Sequence, residues 1–197
     1  MSKIKQVILV TGTPCVGKTS VSRLLASQLH AKHIDLAKLV EREKLTSGID
    51  KARGTLIADV TRLSRRVQQI RENWKGDVVI DGHYAVDVVS ARDVRRVFVL
   101  RRDPDELKRL MEARGFREKK LWENLAAEIL DVCLYDAVKA CGQDKICEID
   151  VTGKSVKEVV GEIVSVLKGK KPCMIGIVDW LGKLERENRL DEFLKSF

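Results

Sequence analysis

The sequence predicts an α/β fold: a five-stranded, mostly parallel sheet with helices on both faces. Three observations predict it. A glycine-rich loop directly follows the first apolar run, strand-like and helix-like runs then alternate along the chain, and 197 residues with only 3 prolines provide the material of one packed domain. Such alternation is typical of right-handed crossover units, which join parallel strands through a helix.

The first apolar run, residues 6–10, leads into the loop 12–19, whose sequence GTPCVGKT completes the pattern G-x-x-x-x-G-K-[ST]. The glycines let backbone N–H groups point at phosphate oxygens, and the helix that follows adds the positive end of its dipole. We expect Lys18 to reach the β- and γ-phosphates and Thr19 to offer its hydroxyl to magnesium. A chance match is the alternative, but the flanking strand and helical periodicity disfavour it. The loop predicts binding of a nucleoside triphosphate.

The next elements follow from periodicity. Residues 31–34 are predicted as a short second strand, and Asp35 can cap the helix that comes after it. Residues 55–73 are predicted as one amphipathic helix, because their apolar side chains recur at helical spacing. Residues 77–81 and 96–101 have the apolar runs of buried parallel strands, so the sheet continues through them.

The second half of the chain completes the sheet. Asp103 and Pro104 predict the start of a helix, and residues 118–140 are helical by periodicity. Residues 145–149 are predicted as the last strand, and Ser155 as the cap of a final helix. Beyond a break at Gly169 to Pro172 lies a tail with helical spacing. It is predicted to be a packed helix, with a partner-binding element as the alternative.

Composition limits the function classes. The formal net charge of +8 favours anionic partners, without separating nucleotides from RNA. No apolar stretch approaches the roughly 20 residues of a membrane span, and we expect a soluble, cytoplasmic protein without a membrane partner. An odd number of cysteines without C-x-x-C spacing indicates neither a disulfide framework nor a zinc site. The cysteines are Cys15, Cys133, Cys141, Cys147 and Cys173.

A second chemical signal is Asp81, which ends the predicted strand 77–81 and is followed by Gly82 and His83. A carboxylate at the carboxyl end of a parallel strand faces the crevice where such sheets bind ligands, and beside a phosphate loop it would hold magnesium. An aspartate in a strand-ending turn is the alternative. His83 could orient water or sense the γ-phosphate, or be a hydrogen-bonded turn residue; the sequence leaves both open.

A third signal is the basic segment 114–120, which follows the fourth strand and its helix. A mobile arginine here could close over the phosphates, because phosphoryl transfer needs positive charge on the migrating group and exclusion of water. A solvated basic turn is the alternative. The position of the segment along the chain favours a lid.

Taken together, these motifs resemble a known family. The loop 12–19, the D-G-H triplet 81–83, and the pattern R-G-F-x-x-K-K-x-x-x-N-x-x-x-E-I over residues 114–129 are similar to the adenylate kinase isoenzyme six family, also called coilin-interacting nuclear ATPases, in its archaeal form. The resemblance spans about residues 6–168 and is more specific than the phosphate loop alone.

The resemblance implies a P-loop nucleoside monophosphate kinase fold. Its kinase domain would span residues 1–171, with a monophosphate-binding segment at 35–58 and a short lid at 113–123. Residues 172–197 would form a C-terminal helical tail, which lies outside the resemblance and receives no role from it. The sequence also departs from eukaryotic members, which carry an acidic cluster where this chain has Lys51-Ala52-Arg53-Gly54.

Carried over by position, the resemblance implies which residues form the site. Lys18, Asp81, His83 and Arg114 would be catalytic, with Asp81 and His83 handling magnesium and water. The ligands of Mg²⁺ would be Thr19 and Asp81. The residues around ATP would be Cys15, Gly17, Lys18, Thr19, Ser20 and Arg114.

The family activity implied is transfer of phosphate from ATP to AMP, together with ATP hydrolysis. Members also act in maturation of the small ribosomal subunit and bind ribosomal protein uS11, so small-subunit rRNA is a further expected partner. An ATP-driven assembly factor with little kinase turnover is the alternative function. A kinase for another small acceptor is a remoter one.

Overall fold

A computed structural model describes residues 6–50 and 55–194, and the text below concerns these residues. The segment Lys51-Ala52-Arg53-Gly54 therefore lies outside them. Strands in the described part are β1 Val7–Thr11, β2 Lys32–Asp35, β3 Thr46–Asp50, β4 Thr55–Ala58, β5 Val78–Asp81, β6 Val94–Arg101 and β7 Ile146–Asp150. The order of the main sheet is β2-β5-β1-β6-β7, and every pairing in it is parallel. The predicted five-stranded α/β architecture is confirmed.

Helices cover both faces of this sheet. Their bounds are α1 Lys18–Leu29, α2 Leu36–Glu43, α3 Val60–Glu72, α4 Ala85–Val88, α5 Pro104–Ala113, α6 Glu118–Ile129, α7 Val132–Cys141, α8 Val156–Leu167, α9 Trp180–Arg186 and α10 Leu190–Leu194. Side chains alternate along a strand, so β1 divides its apolar residues between the two faces. Ile8 and Val10 pack with α1, α5, α6 and α8, whereas Val7 and Leu9 pack with α2, α3, α4 and α7.

The predicted helix caps are confirmed. Asp35 accepts a hydrogen bond from the backbone N–H of Lys38 at 3.1 Å, at the start of α2. Asp103 caps α5, with Pro104 in its first turn. Ser155 forms a capping box at the start of α8. Each side chain satisfies backbone N–H groups that the helix itself leaves without a partner.

One predicted element is wrong. Residues 55–73 do not form a single helix: residues 55–58 are strand β4, which pairs with β3 as an antiparallel hairpin separate from the main sheet. Helix α3 begins only at Val60, because Asp59 is extended and its side chain accepts from the N–H of Arg62 at 3.0 Å. Leu56 is 53% exposed, so the apolar spacing of these residues does not correspond to a buried face.

The predicted helical segment 118–140 is interrupted. Helix α6 ends at Ile129, and α7 begins at Val132 after Asp131, which has a left-handed backbone conformation with φ of +56°. Left-handed residues end α-helices, and aspartate tolerates this conformation better than most residues do. The chain therefore turns at the point where the side chain of Asp131 meets Arg101 at 2.5 Å.

The absence of a disulfide, expected from the odd cysteine count, is also wrong. Cys147 on the edge strand β7 is bonded to Cys173 in the C-terminal segment, with Cα atoms 4.9 Å apart. Spacing rules missed this pair because the two cysteines are 26 residues apart and meet only when the segment lies along the sheet edge. Cys15, Cys133 and Cys141 are free thiols.

None of the helices described above has the length and apolar character needed to cross a membrane.

Candidate nucleotide-binding site

The phosphate loop lies at the carboxyl edge of the sheet, between β1 and α1. Gly12 has φ of +135°, and a Cβ atom there would lie 2.5 Å from the carbonyl oxygen of Leu100, so the backbone packs too closely for a side chain. Gly17 has φ of +106° and immediately precedes α1. These glycines let the loop turn tightly and aim the N-terminus of α1 at the crevice.

Lys18 is the first residue of α1, and its side chain folds back onto the phosphate loop. Its Nζ donates hydrogen bonds to the carbonyl oxygens of Gly12 and Thr13, at 2.8 and 2.7 Å. Burial lowers the pKa of Lys18, and neighbouring acidic groups that include Asp81 act in the opposite direction. A phosphate anion at this position would favour the charged ammonium in the same way.

Asp81 at the end of β5 is buried and has two side-chain partners. Its Oδ2 accepts from the hydroxyl of Thr19 at 2.8 Å, and its Oδ1 lies 2.5 Å from Nε2 of His33. Thr19 and Asp81, the two predicted metal ligands, are therefore adjacent. Hard oxygen donors of this kind suit Mg²⁺.

The donor set is small. Within residues 6–50 and 55–194, no three His, Cys, Asp or Glu side chains form a group that could hold a metal ion. Mg²⁺ in nucleotide kinases is held mainly by substrate phosphates and waters, with one or two protein ligands, and the pair Thr19 and Asp81 fits that mode.

His33 is a site residue that the sequence interpretation missed. The sequence predicts only a strand at this position, and β2 places His33 two residues before Asp35, which pairs with Asp81. Because side chains two positions apart share a face and Nε2 reaches across, His33 contacts the carboxylate on the neighbouring strand. No motif in the sequence signals this contact.

His83 lies at the rim of the site, where its ring is accessible to solvent and 4.0 Å from the ring of Tyr84. Partial desolvation, helped by the positive charge of Lys18, lowers the pKa of His83 to about 4. The imidazole is therefore neutral near pH 7 and can accept a hydrogen bond from water. Gly82 beside it has φ of +153°, and a Cβ there would lie 3.0 Å from Leu36.

The predicted lid corresponds to a short connection. Residues 114–117 join α5 to α6, and the side chain of Arg114 reaches the phosphate loop, with Nη1 4.0 Å from Sγ of Cys15. Cys15 itself has φ of +71° and is half-buried. Ser20, the remaining predicted ATP contact, lies exposed in the first turn of α1.

Two further side chains form hydrogen bonds with residues of the phosphate loop, and neither was predicted as a site residue. Arg102 donates from Nη2 to the carbonyl of Val16 at 3.3 Å. Glu128 accepts a short hydrogen bond from the hydroxyl of Thr13. Glu128 entered the sequence interpretation only as a letter of the resemblance motif, since an acidic residue within a helix carries no sign of what it contacts.

A phosphate loop between β1 and α1, with Lys18, Thr19 and Asp81 grouped at it, defines the class of protein: a P-loop small-molecule kinase. Solved structures show the same fold. A shikimate kinase from Acinetobacter baumannii in complex with shikimate superposes with a TM-score of 0.60 at 14% identity, over 85% of this chain and 96% of its own. A thymidylate kinase from Candida albicans gives a TM-score of 0.55 at 17% identity, over 84% of this chain and 92% of its own.

Sequence comparison identifies the family. Residues 8–131 match the AAA domain family. A protein of Methanocaldococcus jannaschii named "Putative adenylate kinase" is 37% identical over 176 residues, covering 89% of this chain and 93% of its own. A protein of the same name from Thermococcus onnurineus is 39% identical, covering 88% and 91%. The chain belongs to this family of archaeal adenylate kinase-like proteins, as the resemblance in the sequence implied.

Proposed function

We propose that the protein is a magnesium-dependent adenylate kinase that converts ATP and AMP into two ADP. The observation that carries this proposal is the grouping of Lys18, Thr19 and Asp81 at the phosphate loop, with Arg114 reaching over the loop from the lid. The names of the archaeal relatives support AMP as the acceptor.

In this proposal the residues act by position and charge. Lys18 holds the β- and γ-phosphates, and Arg114 stabilises the charge that spreads over the transferring phosphoryl group. Thr19 and Asp81 hold Mg²⁺, which neutralises phosphate charge when bound. The short lid excludes water, so that the acceptor hydroxyl or phosphate oxygen aligned behind the γ-phosphorus reacts instead. No strong general base is required.

The acceptor would bind along residues 35–58, which run from the end of β2 through α2 to the hairpin of β3 and β4. Its first residue, Asp35, lies next to Asp81 in the sheet, because β2 pairs with β5. We propose residues 113–123 as the lid, with Cys15, Gly17 and Ser20 completing the contacts to ATP.

The test is an acceptor comparison. ATP consumption and ADP formation are measured with magnesium and no acceptor, AMP, CMP or UMP, with Lys18→Ala as the control. Strong stimulation by AMP is expected. Turnover that is slow and indifferent to every monophosphate would contradict the kinase proposal, and a different acceptor that outcompetes AMP would redefine the substrate.

ATP hydrolysis is a second activity that we propose for the same site, and His83 is the observation that favours it. A neutral imidazole beside Lys18 can orient a water molecule toward the γ-phosphate when AMP is absent. His83→Ala is expected to reduce hydrolysis about tenfold or more while kinase activity persists. Equal losses of both activities would instead assign His83 to the organisation of the site.

A role in small-subunit maturation is the alternative that this ATPase activity would serve. The net charge of +8 supports association with small-subunit rRNA, and the family resemblance supports association with ribosomal protein uS11. Binding is measured with purified uS11 and with rRNA, in the presence of ATP, ADP or no nucleotide. Failure to bind in every nucleotide state would rule this role out.

A further inference from the structure

The C-terminal arm, residues 172–194, is bound to the body of the molecule along the edge strand β7. Cys173 is joined to Cys147, the backbone N–H of Glu148 donates to the carbonyl of Met174 at 2.8 Å, and that of Ile177 donates to the Glu148 carboxylate at 2.8 Å. Leu184 and Phe193 farther along the arm are fully buried. The arm is part of the core rather than an appendage.

The arm also contacts a second buried carboxylate, that of Glu128. Glu128 is 2% exposed, and its Oε1 accepts from the indole N–H of Trp180 at 3.3 Å. The same oxygen accepts from Nε of Arg101 at 2.9 Å and from the backbone N–H of Arg102 at 3.1 Å. Its other oxygen accepts from the hydroxyl of Thr13 in the phosphate loop. Glu128 thus connects the arm, strand β6 and the loop.

We infer that Trp180 and Glu128 are positioning residues for nucleotide binding, and that the arm acts on the phosphate loop through them. The hydroxyl of Thr13 donates a hydrogen bond to Glu128, and the carbonyl oxygen of Thr13 accepts one from Nζ of Lys18 at 2.7 Å. A change in the donors around Glu128 therefore moves the peptide that orients the phosphate-binding ammonium. Neither Trp180 nor Glu128 touches the nucleotide in this scheme.

The indole hydrogen bond is separable from docking of the arm. Docking rests on the buried side chains Leu184 and Phe193, and on the ion pair of Lys183 with Asp103 at 2.5 Å. Replacing Trp180 with phenylalanine removes the N–H donor and part of the indole while it keeps an aromatic ring at this position. A buried carboxylate that loses a donor redistributes its remaining bonds, and one of those belongs to Thr13.

The test compares Trp180→Phe with Trp74→Phe. Trp74 lies just after α3, and its indole N–H donates to the carbonyl of Asp77 at 3.2 Å, at the amino end of β5, so the control removes another indole donor away from the phosphate loop. Affinity is measured with a fluorescent ATP analogue, and KM for ATP and kcat by ADP formation. Trp180→Phe is expected to weaken ATP affinity and raise KM about threefold to tenfold with kcat within about twofold, the effect of one hydrogen bond. Trp74→Phe is expected to leave all three quantities unchanged.

A double-mutant cycle with Thr13→Val gives the second measurement. The effects of Thr13→Val and Trp180→Phe on ATP affinity are expected to be less than additive, since both act through Glu128. Thr13→Ser, which retains the hydroxyl, is expected to bind ATP with the affinity of the wild-type protein. Unchanged affinity in Trp180→Phe, equal effects of the two tryptophan variants, or full additivity would each overturn the inference.

This inference rests on the proposed ATP binding but not on AMP as the acceptor. If the wild-type protein binds ATP without making ADP from AMP, the kinase proposal fails and the affinity comparison still stands. If ATP affinity is normal in Trp180→Phe while AMP-dependent turnover is robust, the positioning role fails and the kinase proposal stands.

Discussion

The two sides of the nucleotide crevice are built differently. On the phosphate-loop side, Thr13, Arg101 and Glu128 are each at most 2% exposed and are joined by side-chain hydrogen bonds. On the side of the proposed monophosphate segment, Ile49 and Leu56 of the β3–β4 hairpin are 64% and 53% exposed. The first side is assembled before any ligand arrives, and the second has side chains free to rearrange.

The difference has a physical reason. Positioned charge stabilises phosphoryl transfer only if it does not have to reorganise during the reaction, so the loop benefits from rigid support. An acceptor segment must admit one substrate and release a product, which favours few internal contacts. Substitutions on the loop side should therefore lower activity or stability strongly, and those on the hairpin should mainly change acceptor binding.

The largest effect is expected for Lys18→Ala. Loss of the phosphate-binding ammonium should reduce ADP formation by about a hundredfold to a thousandfold, with and without AMP. The free energy of unfolding should not fall in parallel, because burial already disfavours this charge. A coupled assay and a urea titration measure the two quantities. Lys157→Ala on the exposed surface of α8 is the control. Normal magnesium-dependent turnover in Lys18→Ala would contradict the site assignment.

A large loss of stability is expected for Arg101→Met. Arg101 is 1% exposed and pairs with Glu128, Glu148 and Asp131, so its removal leaves buried carboxylates without their cation. The expected loss is about 3–5 kcal/mol of unfolding free energy, measured by urea titration.

The matched control for Arg101→Met is Arg66→Met. Arg66 pairs with Glu43 at 2.6 Å on the hairpin side, where solvent screens the charges, and a much smaller loss is expected. Equal losses at the two positions would remove the stability difference between the two sides of the crevice.

A selective effect on the acceptor is expected for Leu56→Ser. Because the side chain is already exposed, the free energy of unfolding should change by no more than about 0.5 kcal/mol. KM for AMP should rise about threefold to tenfold while KM for ATP stays constant, since loss of a buried apolar contact in the complex is of that size. An equal rise in both constants would place the hairpin outside the acceptor site.

The smallest effect is expected where the arm meets α5 at the surface. Arg189 lowers the pKa of Asp105 through hydrogen bonds at 2.7 and 2.9 Å. The pair therefore adds stability above the ordinary pKa of an aspartate and loses it as the pH falls through the lowered value. Arg189→Met should lower the thermal midpoint slightly at pH 7, less at high salt, and progressively less as the pH falls below the ordinary pKa of an aspartate. A shift that is independent of pH would indicate lost packing instead.

Much of the fold could be predicted because its signals are local. Capping by Asp35, Asp103 and Ser155 depends on neighbours within a few residues, and each cap is present. The errors occur where local periodicity is ambiguous. The apolar residues of β4 fit a helical pattern equally well, and only pairing with β3 distinguishes the two.

The site divides in the same way. The phosphate loop, with Lys18 and Thr19 in consecutive positions, could be predicted from the amino-acid sequence alone. So could the carboxylate of Asp81 at a strand end, because each of these features depends on residues adjacent in the chain. Only the tertiary structure brought His33 to Asp81, Glu128 to Thr13, and Cys147 to Cys173. These pairs are 48, 115 and 26 residues apart. Contacts over such distances follow from strand order and helix packing, which no local pattern of side chains encodes.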